Sequence, residues 1–94
     1  MNMKVMSKSK EYMAIKVNSG AEFFLTVGRY VNPDNYEIVE PNEHYLAPKF
    51  ILNINNRKID VEYGDYILID ANGDIEYVEE KKFKENYVEI KEEE

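Results

Sequence analysis

Over residues 50–63, hydrophobic side chains recur at every second position, which is the pattern of strands that bury one face. The alternation runs through 50–54 and again through 57–63, and Asn55-Asn56 separates the two segments. Asparagine tolerates a positive φ, so this pair predicts a tight turn that joins the segments as a hairpin. The side chains expected on the inner face are Phe50, Leu52 and Ile54 on the first strand and Ile59, Val61 and Tyr63 on the second.

A second hairpin is predicted farther along the chain. Residues 66–69 form an uninterrupted apolar run, which is typical of an internal strand buried on both faces. Residues 70–73 then supply a turn, because Asn72-Gly73 is a strong short-range hairpin signal. Residues 74–78 are expected to pair back on the apolar run.

The first half of the chain predicts a strand followed by a segment with two interpretations. Residues 12–17 are typical of a strand, and Ser19 is a candidate N-cap for a helix over 21–31. A strand through 24–27 is the alternative, since β-branched residues and Gly28 weaken a helix. The helical interpretation rests on spacing that places four side chains on one face: Phe23, Phe24, Val27 and Tyr30.

The remaining segments are shorter or less regular. A turn is expected at 32–35 and a short strand at 36–39, whereas the two prolines in 40–48 argue against a central strand there. Residues 79–85 are compatible with one helical turn, and 87–90 with a last strand.

These elements predict an α+β fold, with a small, mainly antiparallel β-sheet or partly open barrel of 5–6 strands and one short helix. The alternate aliphatic side chains of the hairpins are expected to pack into a single interior. One domain is expected over residues 1–94, with frayed ends at 1–8 and 91–94.

Composition narrows the class of protein. The chain has 94 residues, among them eight Tyr, four Phe and no Trp or Cys. Without cysteine, disulfides, zinc–thiolate sites and Cys nucleophiles are excluded, and a reducing cytosol is favoured. No apolar run approaches the roughly 20 residues of a membrane span, and residues 1–8 lack the apolar stretch of a signal peptide. The expected location is the cytoplasm, without membrane contact.

Negative charge is concentrated towards the C-terminal end. The formal net charge is −7; residues 1–73 carry 10 acids and 8 bases, whereas residues 74–94 carry 9 acids and 4 bases. This balance disfavours direct nucleic-acid binding, which needs a basic surface to neutralise phosphates. The acidic end is either a solvated face that aids solubility or a surface that attracts a basic site on another protein.

The most specific stretch is residues 61–67, with the sequence VEYGDYI. Gly64 allows a turn or bulge conformation that other residues resist. Asp65 is expected to bond nearby backbone N–H groups and so to fix that turn. Both residues are therefore interpreted as structural.

Residues 61–67, followed by 72–77 (NGDIEY) and 83–87 (FKENY), resemble a family of small phage and prophage proteins of mostly unknown function. Members of that family carry a V-x-x-G-D-Y/W-I strand, then a G-E-F-Y-type hairpin and then F-x-x-T-Y-E. The strand at 12–17 and a short helix after it are similar to the family as well. The resemblance implies a phage or prophage origin and a comparable fold, and it assigns no functional residues.

The sequence contains no recognisable catalytic or metal-binding constellation. His44 is the only histidine, and with Glu40 and Glu43 it matches no established metal-site spacing. Residues 70–74 fit a turn better than a calcium loop, which needs a bidentate Glu at its end and flanking helices. The four glycines are scattered singly, so no phosphate-binding loop is expected. We therefore expect no enzyme, no catalytic residue, no metal and no cofactor.

The leading functional hypothesis is a phage or prophage accessory protein that binds and inhibits a host protein with a basic surface. Anti-CRISPR or other anti-defence inhibition is its concrete form, with acidic side chains that mimic nucleic-acid phosphates and aromatic side chains as apolar anchors. The candidate acidic residues are Glu76, Glu79, Glu80, Glu85 and Glu89, and the candidate anchors are Tyr77, Phe83 and Tyr87.

Two alternatives belong to other classes of protein. A homo-oligomer would bind a small nucleotide signal between subunits, with Lys49, Arg57 and Lys58 as phosphate partners. A virion structural or assembly protein would pair an edge strand with a neighbouring molecule.

Overall fold

The computed structural model describes residues 2–7, 10–18, 20–41, 43 and 49–89. These residues form an α+β arrangement with two antiparallel sheets, which do not close into a barrel. The predicted fold class and the antiparallel pairing are confirmed.

The described part of the chain contains eight strands, two α-helices and one turn of 3-10 helix. The strands are β1 (Asn2–Ser7), β2 (Lys10–Lys16), β3 (Tyr36–Val39), β4 (Lys49–Ile54), β5 (Arg57–Asp60), β6 (Tyr66–Ile69), β7 (Ile75–Val78) and β8 (Val88–Glu89). The helices are α1 (Ala21–Tyr30) and α2 (Glu80–Asn86), and the 3-10 turn covers Pro33–Asn35.

The larger sheet has five strands in the order β7-β6-β2-β1-β8, and the smaller sheet has three in the order β3-β4-β5. The hairpin of β1 and β2 meets the hairpin of β6 and β7 through the pairing of β2 with β6. All four residues of β6 are buried. The prediction of an internal strand buried on both faces is therefore confirmed.

The first hydrophobic core lies between one face of the five-stranded sheet and a layer formed by α1 and the smaller sheet. Phe23 of α1 packs edge-on against Phe50 of β4, with ring centroids 5.3 Å apart, and Tyr36 stacks on the same Phe50 ring at 5.4 Å. The buried members of this core are Ile15, Val17, Phe23, Val27, Val31, Phe50, Leu52, Ile67 and Ile69.

The second core lies on the opposite face of the five-stranded sheet, beneath α2. Its buried members are Val5, Ala14, Tyr66, Leu68 and Phe83. Because strand side chains alternate between faces, Ile67 and Leu68 contribute to different cores although they are neighbours. The sequence predicted a single interior, and the structure divides it in two because the chain supplies a layer for each face of the sheet.

Both predicted turns are present. Asn55 and Asn56 have φ values of 52° and 65°, and they join β4 to β5 as expected of a tight hairpin. In the turn between β6 and β7, the Asp70 carboxylate accepts hydrogen bonds from the amides of Asn72 and Asp74 at 2.9 and 3.0 Å. Residues 70–74 thus form a turn, as predicted.

Four details differ from the sequence-based prediction. Residues 2–7, expected to be frayed, form β1 because they pair with both β2 and β8. The strand predicted over 57–63 ends at Asp60, and Tyr63 is exposed. Residues 80–86 form a second helix instead of a single turn. The described strands number eight, not five or six.

Residues 21–30 form a helix, so the alternative of a strand over 24–27 is wrong. The β-branched residues and Gly28, which weaken a helix, are tolerated because Phe23 and Val27 bury one face of it against the sheets. The predictions for Ser19, His44 and residues 91–94 lie outside the described residues.

The two leucines Leu68 and Leu25 provide a matched test of this packing. Leu68→Ala is expected to lower the free energy of unfolding by about 2–5 kcal/mol, since Leu68 is fully buried in the second core. Leu25→Ala is expected to change it by less than about 0.5 kcal/mol, because Leu25 lies on the solvent side of α1 and is 69% exposed. Urea denaturation of both variants measures the difference, and equal losses would contradict the described layers.

Candidate protein-binding surface

The buried carboxylate of Asp65 joins three segments of the chain. Its Oδ1 accepts a hydrogen bond from the backbone amide of Glu80 at 2.9 Å, and its Oδ2 accepts one from the hydroxyl of Tyr77. The Tyr77 oxygen in turn accepts a hydrogen bond from the amide of Glu62 at 2.9 Å. Asp65 is only 9% exposed. The network therefore fixes β7 and the start of α2 relative to the turn before β6.

The backbone on either side of Asp65 is bound to β2 as well. The amide of Gly64 donates to the carbonyl of Val17 at 3.0 Å, and the amide of Val17 donates to the carbonyl of Asp65 at 2.8 Å. Gly64 has a φ of 98°, and a Cβ there would lie 3.3 Å from Oε2 of Glu80. Glycine is favoured at this position because a side chain would be strained by the backbone angle.

The Asp65 carboxylate has a structural role, but its hydrogen-bond partners differ from those predicted. The Asp65 carboxylate was expected to bond nearby backbone amides, but it bonds Tyr77 and Glu80, which follow it by 12 and 15 residues. A carboxylate at the first residue of a helix satisfies an otherwise unpaired amide and interacts favourably with the helix dipole. Asp65 thus acts as a cap for α2 supplied from a distant part of the chain.

The hydroxyl of Tyr77 is held in its protonated form. Burial of the ring, followed by the hydrogen bond to Asp65, raises the pKa of Tyr77 to about 12. Tyr77 is therefore a structural residue, and its hydroxyl is already engaged on both sides. Its partly buried ring contributes to the side of the first core instead of standing free as an anchor for a partner.

The aromatic rings of α2 and β6 form a stack over the second core. The ring centroid of Phe83 lies 3.6 Å from that of Tyr66 and 5.5 Å from that of Tyr87, and the rings are nearly parallel. The rings of Tyr87 and Tyr12 pack edge-on, with centroids 5.8 Å apart. Phe83, one of the predicted partner-binding anchors, is 7% exposed, and its ring packs inside the fold. Tyr87 is partly exposed at the margin of this stack.

The five candidate acidic residues do not form one continuous surface. Glu76 and Glu79 are exposed on and just after β7, whereas Glu89 lies on β8 at the opposite edge of the sheet. Glu80 lies 4.0 Å from the ammonium of Lys84, and Glu85 is exposed on α2. Three exposed lysines of α2 interrupt the acidic residues in sequence: Lys81, Lys82 and Lys84.

A groove runs along the outer side of β7, between this strand and the β4–β5 hairpin. Lys10 is the only base among the described residues that line it, and its ammonium lies 3.3 Å from the Asp70 carboxylate. The pKa of Lys10 is raised, chiefly by this hydrogen bond, so the pair stays ionised and contributes little net charge. Besides this pair, the lining includes the acidic side chains of Asp74 and Glu76, the amides of Asn35 and Asn55, and apolar or aromatic side chains: Ile54, Ile59, Ile75, Tyr77, Val78 and Tyr87.

Glu76 was predicted from the sequence as a partner-binding residue, whereas the opposite wall of this groove was not predicted. The sequence predicts Ile54 and Ile59 on the inner face of a hairpin. In the structure both side chains are partly buried, Ile54 on β4 and Ile59 on β5. Their proximity to β7 depends on how the two sheets pack together, and no local pattern in the sequence carries that information.

The cations proposed for a nucleotide site are mostly engaged with acids. The ammonium group of Lys49 lies 3.3 Å from the carboxylate of Asp60 on the adjacent strand β5. The ammonium group of Lys58 reaches across β4 and lies 3.2 Å from the carboxylate of Glu37 on β3. Arg57 is exposed next to the turn. Much of the positive charge that a phosphate would need is therefore balanced within the smaller sheet.

Within the described ranges, no group of three or more His, Cys, Asp or Glu side chains is arranged to hold a metal ion. No helix formed by those same residues is long and apolar enough to cross a membrane. No family model matches the sequence, and no curated protein or solved structure gave a significant match to it.

The Asp65–Tyr77 interaction predicts a specific dependence of stability on pH. Tyr77→Phe is expected to lower the free energy of unfolding by about 1–3 kcal/mol near neutral pH, because the Asp65 carboxylate loses a hydrogen-bond donor. In the native protein, Tyr77 keeps its proton up to about pH 12, whereas an unfolded chain loses it near pH 10. The contribution of Tyr77 is therefore present below about pH 10 and is lost as the pH rises towards 12.

The variant lacks this titration, so the stability difference between native protein and Tyr77→Phe should shrink between about pH 10 and about pH 12. Urea denaturation at several pH values measures it, with the other seven tyrosines common to both proteins. A difference that is constant over this range would contradict the proton-holding role of Asp65.

Proposed function

We propose that this chain is a non-enzymatic phage or prophage accessory protein that binds and inhibits a host protein with a basic surface. The observation that carries the proposal is the placement of exposed acids along one edge of the larger sheet. Asp74, Glu76 and Glu79 are exposed on or beside β7, and Lys10, the base that lines the adjoining groove, is neutralised by Asp70.

Exposed acidic side chains mainly affect how fast a partner protein associates and which partner is selected. Exposed acids gain little free energy individually in water, because solvent and salt screen them. A cluster of one sign nevertheless steers an oppositely charged partner towards it and raises the association rate. Apolar residues beside the acids would then supply the area that holds the complex together.

A host protein that binds nucleic acid is the class of partner we favour. Such a protein presents a basic groove that neutralises phosphates, and carboxylates spaced along a strand would occupy it in their place. The resemblance of residues 61–67 and 72–77 to small phage proteins supports the same assignment, with anti-CRISPR or another anti-defence inhibitor as its concrete form. Of the candidate residues, Glu76 and Glu79 are the ones we assign to the interface.

Charge reversal at β7 tests the proposal. The double variant Glu76→Lys/Glu79→Lys, used as tagged bait in lysate of the host cell, is expected to lose most of the proteins that the native chain captures. Both side chains are exposed, so folding should be retained, which circular dichroism and urea denaturation verify. Capture by the native chain should also fall strongly between about 50 mM and about 500 mM salt, because screening weakens charge-driven binding.

The matched control is Glu40→Lys/Glu43→Lys. It changes the net charge by the same amount at two exposed acids that lie in the connection between β3 and β4. This variant should capture the same proteins as the native chain. Equal capture by all three proteins, or capture that does not depend on salt, would rule out the acidic surface of β7 as the binding site.

A further inference from the structure

The outer edge of β7 is open among the residues that the structure describes, since β7 is the terminal strand of its sheet. The amide of Asp70 donates to the carbonyl of Asp74 at 3.0 Å, which makes these two residues a hydrogen-bonded pair of the antiparallel ladder. Hydrogen-bonded and non-bonded pairs alternate along such a ladder. The backbone N–H and C=O groups of Ile75 and Tyr77 therefore point away from β6, towards the groove.

The two faces of β7 offer different chemistry to a strand laid beside it. Asp74 and Glu76 belong to the face of the sheet that carries α2, because they alternate with Ile75 and Tyr77. Ile75 belongs to the other face, where Ile54 and Ile59 of the smaller sheet line the same groove. An added strand would meet carboxylates on one side and aliphatic side chains on the other.

A second copy of this chain is a poor occupant of that edge. Antiparallel pairing of two β7 strands would bring the carboxylates of Asp74 and Glu76 of both copies onto one face, within reach of each other. Like charges directly opposite each other in a sheet are destabilising. The charge of the edge instead favours a segment that carries basic side chains.

We propose that β7 binds an extended segment of the partner protein as a sixth strand of the sheet, with basic residues at alternate positions and apolar residues between them. The basic side chains would lie over Asp74 and Glu76, and the apolar ones would enter the groove beside Ile54 and Ile59. Addition of a strand to an open sheet edge is an established mode of peptide recognition. This inference rests on the proposed function, because it specifies how the basic partner is held.

A synthetic peptide of alternating Lys and Val residues is a suitable probe. At low salt it should bind the full-length chain, and hydrogen exchange measured by NMR should slow at the amides of Ile75 and Tyr77. With nine-tenths of the protein occupied, exchange at these two amides is expected to slow by about tenfold. Amides within β2 and β6 are already paired in the sheet and should not change.

Two control peptides separate backbone pairing from charge. A peptide of the same sequence with alternate N-methylated amides keeps every charge but cannot donate those hydrogen bonds, and it should bind at least about tenfold more weakly. A peptide of alternating Glu and Val should not bind detectably. On the protein side, Asp74→Asn/Glu76→Gln should weaken binding of the Lys-Val peptide, whereas Glu40→Gln/Glu43→Gln should leave it unchanged.

The outcomes distinguish this inference from the proposed function. If the N-methylated peptide binds as tightly as its parent and the exchange of Ile75 and Tyr77 is unaltered, strand addition is wrong while the attraction of a basic partner stands. If the Lys-Val peptide does not bind at low salt, strand addition is also wrong, and capture by the Glu76→Lys/Glu79→Lys bait decides the proposed function independently.

Discussion

The position of β7 and α2 depends on one buried carboxylate. Asp65 lies in the turn before β6, and its carboxylate accepts hydrogen bonds from the hydroxyl of Tyr77 on β7 and from the backbone amide of the first residue of α2. A buried charge is stable only where such partners satisfy it, and the same partners are thereby fixed in place. The backbones of Gly64 and Asp65 also form hydrogen bonds with the backbone of Val17, at the end of β2. The larger sheet, its terminal strand β7 and the helix α2 are therefore connected at this one turn. These hydrogen bonds set the position of the acidic edge.

Local patterns in the sequence predicted most of the strands and one of the two helices. The asparagine pair at 55–56, the apolar run at 66–69 and the turn at 70–74 act within a few residues, so sequence alone identified them. β1 was missed because its strand character depends on pairing with β2 and β8. The burial of Phe83 was missed for a related reason, since it requires α2 to lie across Tyr66.

The candidate surface shows the same division between local and distant information. The acidity of residues 74–94 was evident from composition, but its distribution was not. The helix following β7 carries lysines, and Glu89 lies at the far edge of the sheet, so the acids that can act together are those beside β7. The groove wall from β4 and β5 is contributed by residues about 20 positions earlier in the chain. The sequence thus indicates the acidic region, whereas the groove beside β7 results from the packing of the two sheets.

The strand order has a consequence for how the chain acquires this structure. β2 pairs with β6, and the paired residues are 50 to 56 positions apart, with α1 and the entire smaller sheet between them. Contacts between residues so distant in sequence form slowly, because closing the long loop between them costs chain entropy before the contacts can stabilise the fold. During synthesis the first hairpin emerges from the ribosome well before its neighbour exists. Until then, one side of β2 lacks its neighbour, and Ile15 and Ala14 lack the layers that later cover them.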